Sequence, residues 1–300
     1  DLRAAFPSST AIRPGLLGGL NHRTRGGKGG VFCAWGLRVK IGLGWERRGE
    51  RLEMNLLDPL STLIAGTSQS GKSTIGSVIF SQLPADVLVY GSDVGSNTLG
   101  ALGEAFGGSH LRALGSDDLS RHVEVFRMVA DLMDERNEEL SARGQAGFRQ
   151  PTPEVPLVVF FVEEIPSLIE LLSDRDKAEG LRPADRLAPR LQSYLTRINS
   201  LCLKSLIRPI YVVQRADVSI FGGGSGFARS QVLRRVQFQG EPDGVRMMLP
   251  MAGKDVIERA FHLPPGRAFY GAPGVEPTEF QADFMDWKDF YNRFQNGVAE

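Results

Sequence analysis

Residues 61–83 read S-T-L-I-A-G-T-S-Q-S-G-K-S-T-I-G-S-V-I-F-S-Q-L. Within this stretch Gly66, Thr67, Ser68, Gln69, Ser70, Gly71, Lys72, Ser73 and Thr74 form a complete G-x-x-x-x-G-K-[ST] phosphate-binding loop. The run before it, Ser61 to Ala65, has strand character, and the run after it, Thr74 to Leu83, has helical spacing. Strand, loop and helix are the context the motif needs. Its glycines let backbone N–H groups curl around phosphates at a helix N-terminus, whose partial positive charge favours an anion. Lys72 is then placed for the β- and γ-phosphates of ATP and Ser73 for Mg²⁺.

Whole-chain properties bound the rest. The chain has 300 residues, of which 42% are hydrophobic, and 35 basic residues balance 35 acidic ones. That is an ordinary globular composition without the net positive charge that would coat nucleic acid or an anionic membrane, so any DNA contact has to come from local patches. Cys33 and Cys202 are far apart in sequence, and His22, His110, His122 and His262 have no ligand spacing. The most apolar run, Pro156 to Val162, has strand length and is far short of the ~18 residues of a membrane span. The first thirty residues lack the apolar core of a signal peptide. The expectation is a cytoplasmic protein, with room for an upstream membrane anchor or a membrane partner at the inner face of the cell membrane.

Three regions are expected. Residues 1–30, rich in Gly, Pro, Ser and Arg, read as a flexible basic arm. Residues 31–285 read as the ATPase domain, entered through a β-hairpin at 31–56, and residues 286–300 as a C-terminal tail. Inside the domain, strand-type runs at 86–91, 156–162, 210–213 and 233–238 alternate with helical patterns. One helical pattern begins near Ser116, Asp117 and Asp118 and stops near Gly144; another spans 183–205. Alternating strands and helices predict a mostly parallel central sheet flanked by helices, an α/β architecture.

The apolar strand at 157–162 ends in Glu163-Glu164. Ligands of open α/β sheets sit at that edge, so Glu163 is the candidate metal ligand beside Ser73, and Glu164 the candidate activator of water. Gln214, at the end of the next apolar strand, is a candidate sensor of the γ-phosphate. Arg234 and Arg235 are candidates for an arginine finger reaching a neighbouring subunit's nucleotide, Arg235 being the assigned one; ordinary basic surface is the alternative. The basic segment from Arg186 to Arg208 and the glycine-rich loop at 221–231 with Arg229 are candidates for contact with a phosphate backbone.

The order of these motifs resembles the FtsK/SpoIIIE family of DNA-pumping ATPases, within the FtsK–HerA group of RecA-like P-loop NTPases. The resemblance runs over residues 31–285 and is carried by Leu63 to Thr74, Asp93, Leu132 to Leu140, Val158 to Leu168 and Val212 to Val218. Glu163 stands where the family has Asp, and Ala216 where it has Pro. The resemblance implies double-stranded DNA as cargo and assembly into a ring, a hexamer in the family. No winged-helix segment follows the motor within this sequence, which turns the expectation toward conjugation or mobile-element DNA transfer rather than chromosome segregation. Two other readings stay open: a type VII secretion-like ATPase moving polypeptide, and a nucleotide-binding scaffold without hydrolysis.

Overall fold

The computed structural model describes residues 39–84, 86–96, 98–102, 111–215 and 232–295. The arm at 1–30, most of the first expected hairpin strand and the loop at 221–231 with Arg229 lie outside the described residues. The strands are β1 (Lys40–Glu46), β2 (Arg51–Asn55), β3 (Thr62–Ala65), β4 (Leu88–Asp93), β5 (Arg112–Leu114), β6 (Val158–Glu163), β7 (Ile207–Val213), β8 (Arg234–Gln237), β9 (Arg267–Ala272) and β10 (Val275–Ala282). They form one ten-stranded sheet in the order β2-β1-β10-β9-β8-β3-β7-β6-β4-β5. The stretch from β8 to β5 is parallel throughout, whereas β9, β10, β1 and β2 add to it antiparallel. The N-terminal hairpin is therefore continuous with the sheet through β1 and β10.

Helices cover both faces, which is what buried parallel strands require. They are α1 (Lys72–Ser81), α2 (Leu119–Ala142), α3 (Ile165–Ala178), α4 (Leu187–Leu201), α5 (Pro242–Met248), α6 (Lys254–Phe261) and α7 (Trp287–Gln295). Strand β6 shows why two layers are needed. Val158, Phe160 and Val162 pack on one side with Phe126, Val129, Leu168 and Leu195. Val159 and Phe161 pack on the other with Ile75, Ile79, Phe80 and hairpin residues Ile41 and Leu43. All five β6 side chains are fully buried, each contributing about 1.5–3 kcal/mol, so the strand is fixed by its composition. The chain leaves this core only at Glu163, the last residue of the strand.

Local signals fix the helix ends. Of Ser116, Asp117 and Asp118, it is Asp118 that caps α2, accepting from the Arg121 N–H at 3.2 Å. At the other end Gly144 takes φ +62°, and the Gly144 and Gln145 N–H groups close onto the Ser141 and Leu140 carbonyls. This is a Schellman ending, for which a left-handed glycine is the natural residue.

Candidate nucleotide and metal site

The phosphate loop leaves β3 in the middle of the sheet and enters α1. The Thr67 N–H donates to Gln239 O at 2.8 Å and the Gly266 N–H to Ser70 O at 2.9 Å, so the loop is braced by the segments after β8 and before β9. Two glycines are obligatory here. A Cβ on Gly66 would lie 2.6 Å from the Phe238 Cβ, and Gly71 adopts φ +111°. Gln69 at the loop tip is also left-handed, at φ 62°. A loop held in this form carries strain that a ligand can use.

Lys72 is buried and donates from Nζ to Thr67 O at 2.9 Å, folding its charge into the loop's own carbonyl. Burial lowers its pKa, and the Glu164 and Glu163 carboxylates oppose that. The Ser73 hydroxyl donates to Glu163 Oε1 at 3.3 Å, joining residues ninety positions apart. Glu163 is 6% exposed, and its Oε2 accepts no hydrogen bond. Burial, and next the neighbouring Asp93 carboxylate, push the Glu163 pKa up to about 7, while the Thr98 and Ser73 hydroxyls pull it back.

Glu164 is set apart by its backbone. Its φ of 56° and ψ of 53° place it in the left-handed region at the start of α3, a costly conformation for a residue with a side chain. Its N–H is fixed by Val212 O at 2.8 Å, and one carboxylate oxygen, Oε2, accepts from the Gln214 N–H at 3.4 Å. Gln214 thus meets Glu164 through its main chain, and its side chain is exposed. Burial raises the Glu164 pKa, against the Gln214 N–H and the Lys72 charge.

The donors at this edge are oxygens, and among the described residues no three or more His, Cys, Asp or Glu side chains form a metal cage. Hydroxyl and carboxylate donors with few protein ligands suit Mg²⁺, which completes its shell from phosphates and water. The orphaned Glu163 Oε2 and the Ser73 hydroxyl fit that ion.

Other expected residues are placed elsewhere. Arg235 lies on β8 opposite Leu63, short of the loop. Its Nε donates to Val232 O, and Nη1 to Met247 O and Met248 O at 3.1 Å, so the guanidinium is held on the last carbonyls of α5. Arg234 is buried, donating to Tyr270 Oη and Asn55 O at 3.2 Å. Within the expected phosphate-contact segment, Arg208 is buried against the Leu56, Leu57, Leu203 and Ile207 carbonyls, and Arg197 pairs with Asp134. Arg186 and Arg190 remain exposed. Thr98 belongs to no motif, and Asp93 is legible in the sequence only as the aspartate that closes a buried strand.

No family model and no curated protein matches the chain. Solved structures do. The conjugation coupling protein TcpA of pCW3, in monomer form with ATPγS, superposes with a TM-score of 0.67 at 20% identity, over 87% of this chain and 70% of that one. What the chain shares with that structure is the fold, a mostly parallel sheet flanked by helices. The cytoplasmic domain of the Thermomonospora curvata type VII secretion ATPase EccC gives 0.59 at 18% identity, and EssC (ATPases 2 and 3) from Geobacillus thermodenitrificans gives 0.61 at 14%. The present chain spans 31% and 50% of those two chains, against 87% of its own length in each case. Among the described residues no helix is long and apolar enough to cross a membrane.

Proposed function

We propose that the chain is an ATP-dependent motor that moves double-stranded DNA, acting as a ring, a hexamer by the family resemblance, in DNA transfer of the conjugative or mobile-element type. The observation that carries the ATPase reading is the Ser73–Glu163 contact at 3.3 Å, which joins the phosphate loop to the acidic strand end. The DNA cargo is supported by the motif order and by the likeness to a conjugation coupling protein over most of both chains. The cytoplasm, at the inner face of the membrane, is the fitting location.

In this mechanism Lys72 exchanges the Thr67 carbonyl for the β- and γ-phosphates, a stronger charge-assisted partner. Ser73 and Glu163 would hold Mg²⁺, which would supply positive charge to offset that of the phosphates. Glu164, held by its left-handed backbone beside the Gln214 N–H, takes a proton from the attacking water as general base. Its raised pKa improves it in that role. Gln214 follows Glu164 on β7's end and carries the state of the γ-phosphate into the segment that follows.

The test is the rate of ATP hydrolysis with and without long duplex DNA. Stimulation by DNA supports the pump. Turnover indifferent to DNA supports instead a polypeptide motor of the type VII kind, whose ATPases share the fold. No turnover at all leaves a nucleotide-binding scaffold.

A further inference from the structure

We infer that Asp93, at the end of β4, is a positioning residue for the Mg²⁺ that accompanies the nucleotide, its free Oδ1 accepting hydrogen bonds from the ion's hydration shell. The inference rests on the nucleotide reading above. Asp93 and Glu163 are register partners on adjacent parallel strands, so their side chains leave the same face of the sheet about 4.8 Å apart at the backbone. That face is the one α1 and Ser73 occupy.

Asp93 is 0% exposed. Its Oδ2 accepts from the Thr98 and Leu99 N–H groups, both at 2.9 Å, which shapes the turn after β4. Its Oδ1 is buried and accepts nothing, and neither does Glu163 Oε2. Capping the turn would need only one oxygen, and an amide could supply it. A second carboxylate oxygen kept unpaired beside another buried acid is costly unless a cation or donor completes it. Lys72 does not supply that donor: its Nζ donates to Thr67 O, and Asp93 Oδ1 has no partner. Glu163 reaches the ion beside Ser73, and Asp93, one strand further out, orients the shell behind it.

The conservative variant Asp93→Asn separates this role from a structural one. Its amide oxygen keeps the Thr98 and Leu99 contacts, and its NH₂ faces Glu163 in place of an acceptor. With Mn²⁺ as spectroscopic probe and ADP as nucleotide, the variant is expected to bind the ion 10–100-fold more weakly than wild type. Affinity for ADP in EDTA stays within about twofold, and the metal-free melting temperature does not fall, because a neutral amide replaces a buried acid whose Oδ1 has no partner. Unchanged Mn²⁺ affinity overturns the inference, and so does an equal loss of ADP affinity in EDTA, which indicates a distorted loop. Wild-type protein that binds neither ADP nor Mn²⁺ contradicts the nucleotide reading itself. Should the variant not fold, a crystal structure of wild type with Mg²⁺ and ADP decides. A water on the ion within hydrogen-bond distance of Asp93 Oδ1 supports the role; Oδ1 turned away from the ion refutes it.

Discussion

The two edges of the parallel sheet treat buried charge in opposite ways. At the N-terminal edge, three buried arginines are matched to main-chain carbonyls: Arg136 to Ser205 and Pro156, Arg208 to four carbonyls between Leu56 and Ile207, and Arg234 to Asn55, with one Arg234 nitrogen left over. Burial lowers the Arg136 and Arg208 pKa values to about 10, still charged at neutral pH. At the C-terminal edge Lys72 is held by the Thr67 carbonyl, but the carboxylates Asp93 and Glu163 each keep an oxygen without a partner. Three residues there, Gln69, Ser96 and Glu164, have left-handed backbones despite carrying side chains, against Leu206 alone before β7 at the other edge among the described residues. A charge satisfied within the chain fastens loops together, whereas a charge left incomplete is available to a ligand. The comparison assigns structure to one edge and chemistry to the other.

The sharpest way to break the comparison is at Glu164. Glu164→Gln keeps the side-chain shape but removes the base, and turnover should fall about 10²–10⁴-fold with nucleotide binding retained. Undiminished DNA-stimulated hydrolysis in a steady-state assay contradicts the assignment. Lys72→Ala comes next, with a loss of about 10²–10³-fold together with weaker ATP binding, read by titration of a fluorescent nucleotide. At the opposite edge, Arg208→Met should leave carbonyls of Leu56, Leu57 and Leu203 unpaired and cost roughly 3–5 kcal/mol in denaturant unfolding. Its turnover per folded molecule should match wild type. A stable but inactive Arg208→Met protein would undo the division of labour.

The smallest effect is a pH dependence of the nucleotide-free, metal-free protein. Glu163 keeps its proton up to about pH 7 when folded but ionises near 4.5 when unfolded. The folded chain therefore binds more protons between those values, and stability falls as pH rises across that window, by about 1–3 kcal/mol. Melting curves of wild type and Glu163→Gln check the sign: the variant should lack this decline and be the more stable of the two above pH 7. A wild-type decline that persists in Glu163→Gln assigns it to other groups.

The C-terminal edge was far more legible in the sequence than the N-terminal one. The phosphate loop and the run from Leu157 to Glu164 are local patterns, and the fold has the α/β sheet they imply. Arg208 looks the same in sequence as an exposed basic residue, because its four carbonyl partners come from segments up to 152 positions away. Helix α3 was not anticipated, since Pro166 and the acidic strand end obscured its start, although proline suits a first helical turn. The antiparallel extension by β9 and β10 was also unseen. These segments, of mixed polar and apolar residues, become strands because β8 and β1 offer edges to pair with, and pairing partners are not written locally.

One measurement bears most directly on the account: the melting temperature of wild type with ATPγS, in Mg²⁺ and in EDTA. The account predicts that ATPγS with Mg²⁺ raises it well above the value with ATPγS in EDTA, because the ion and the phosphates together complete Glu163, Ser73 and Lys72. A melting temperature indifferent to saturating ATPγS with Mg²⁺ would contradict it.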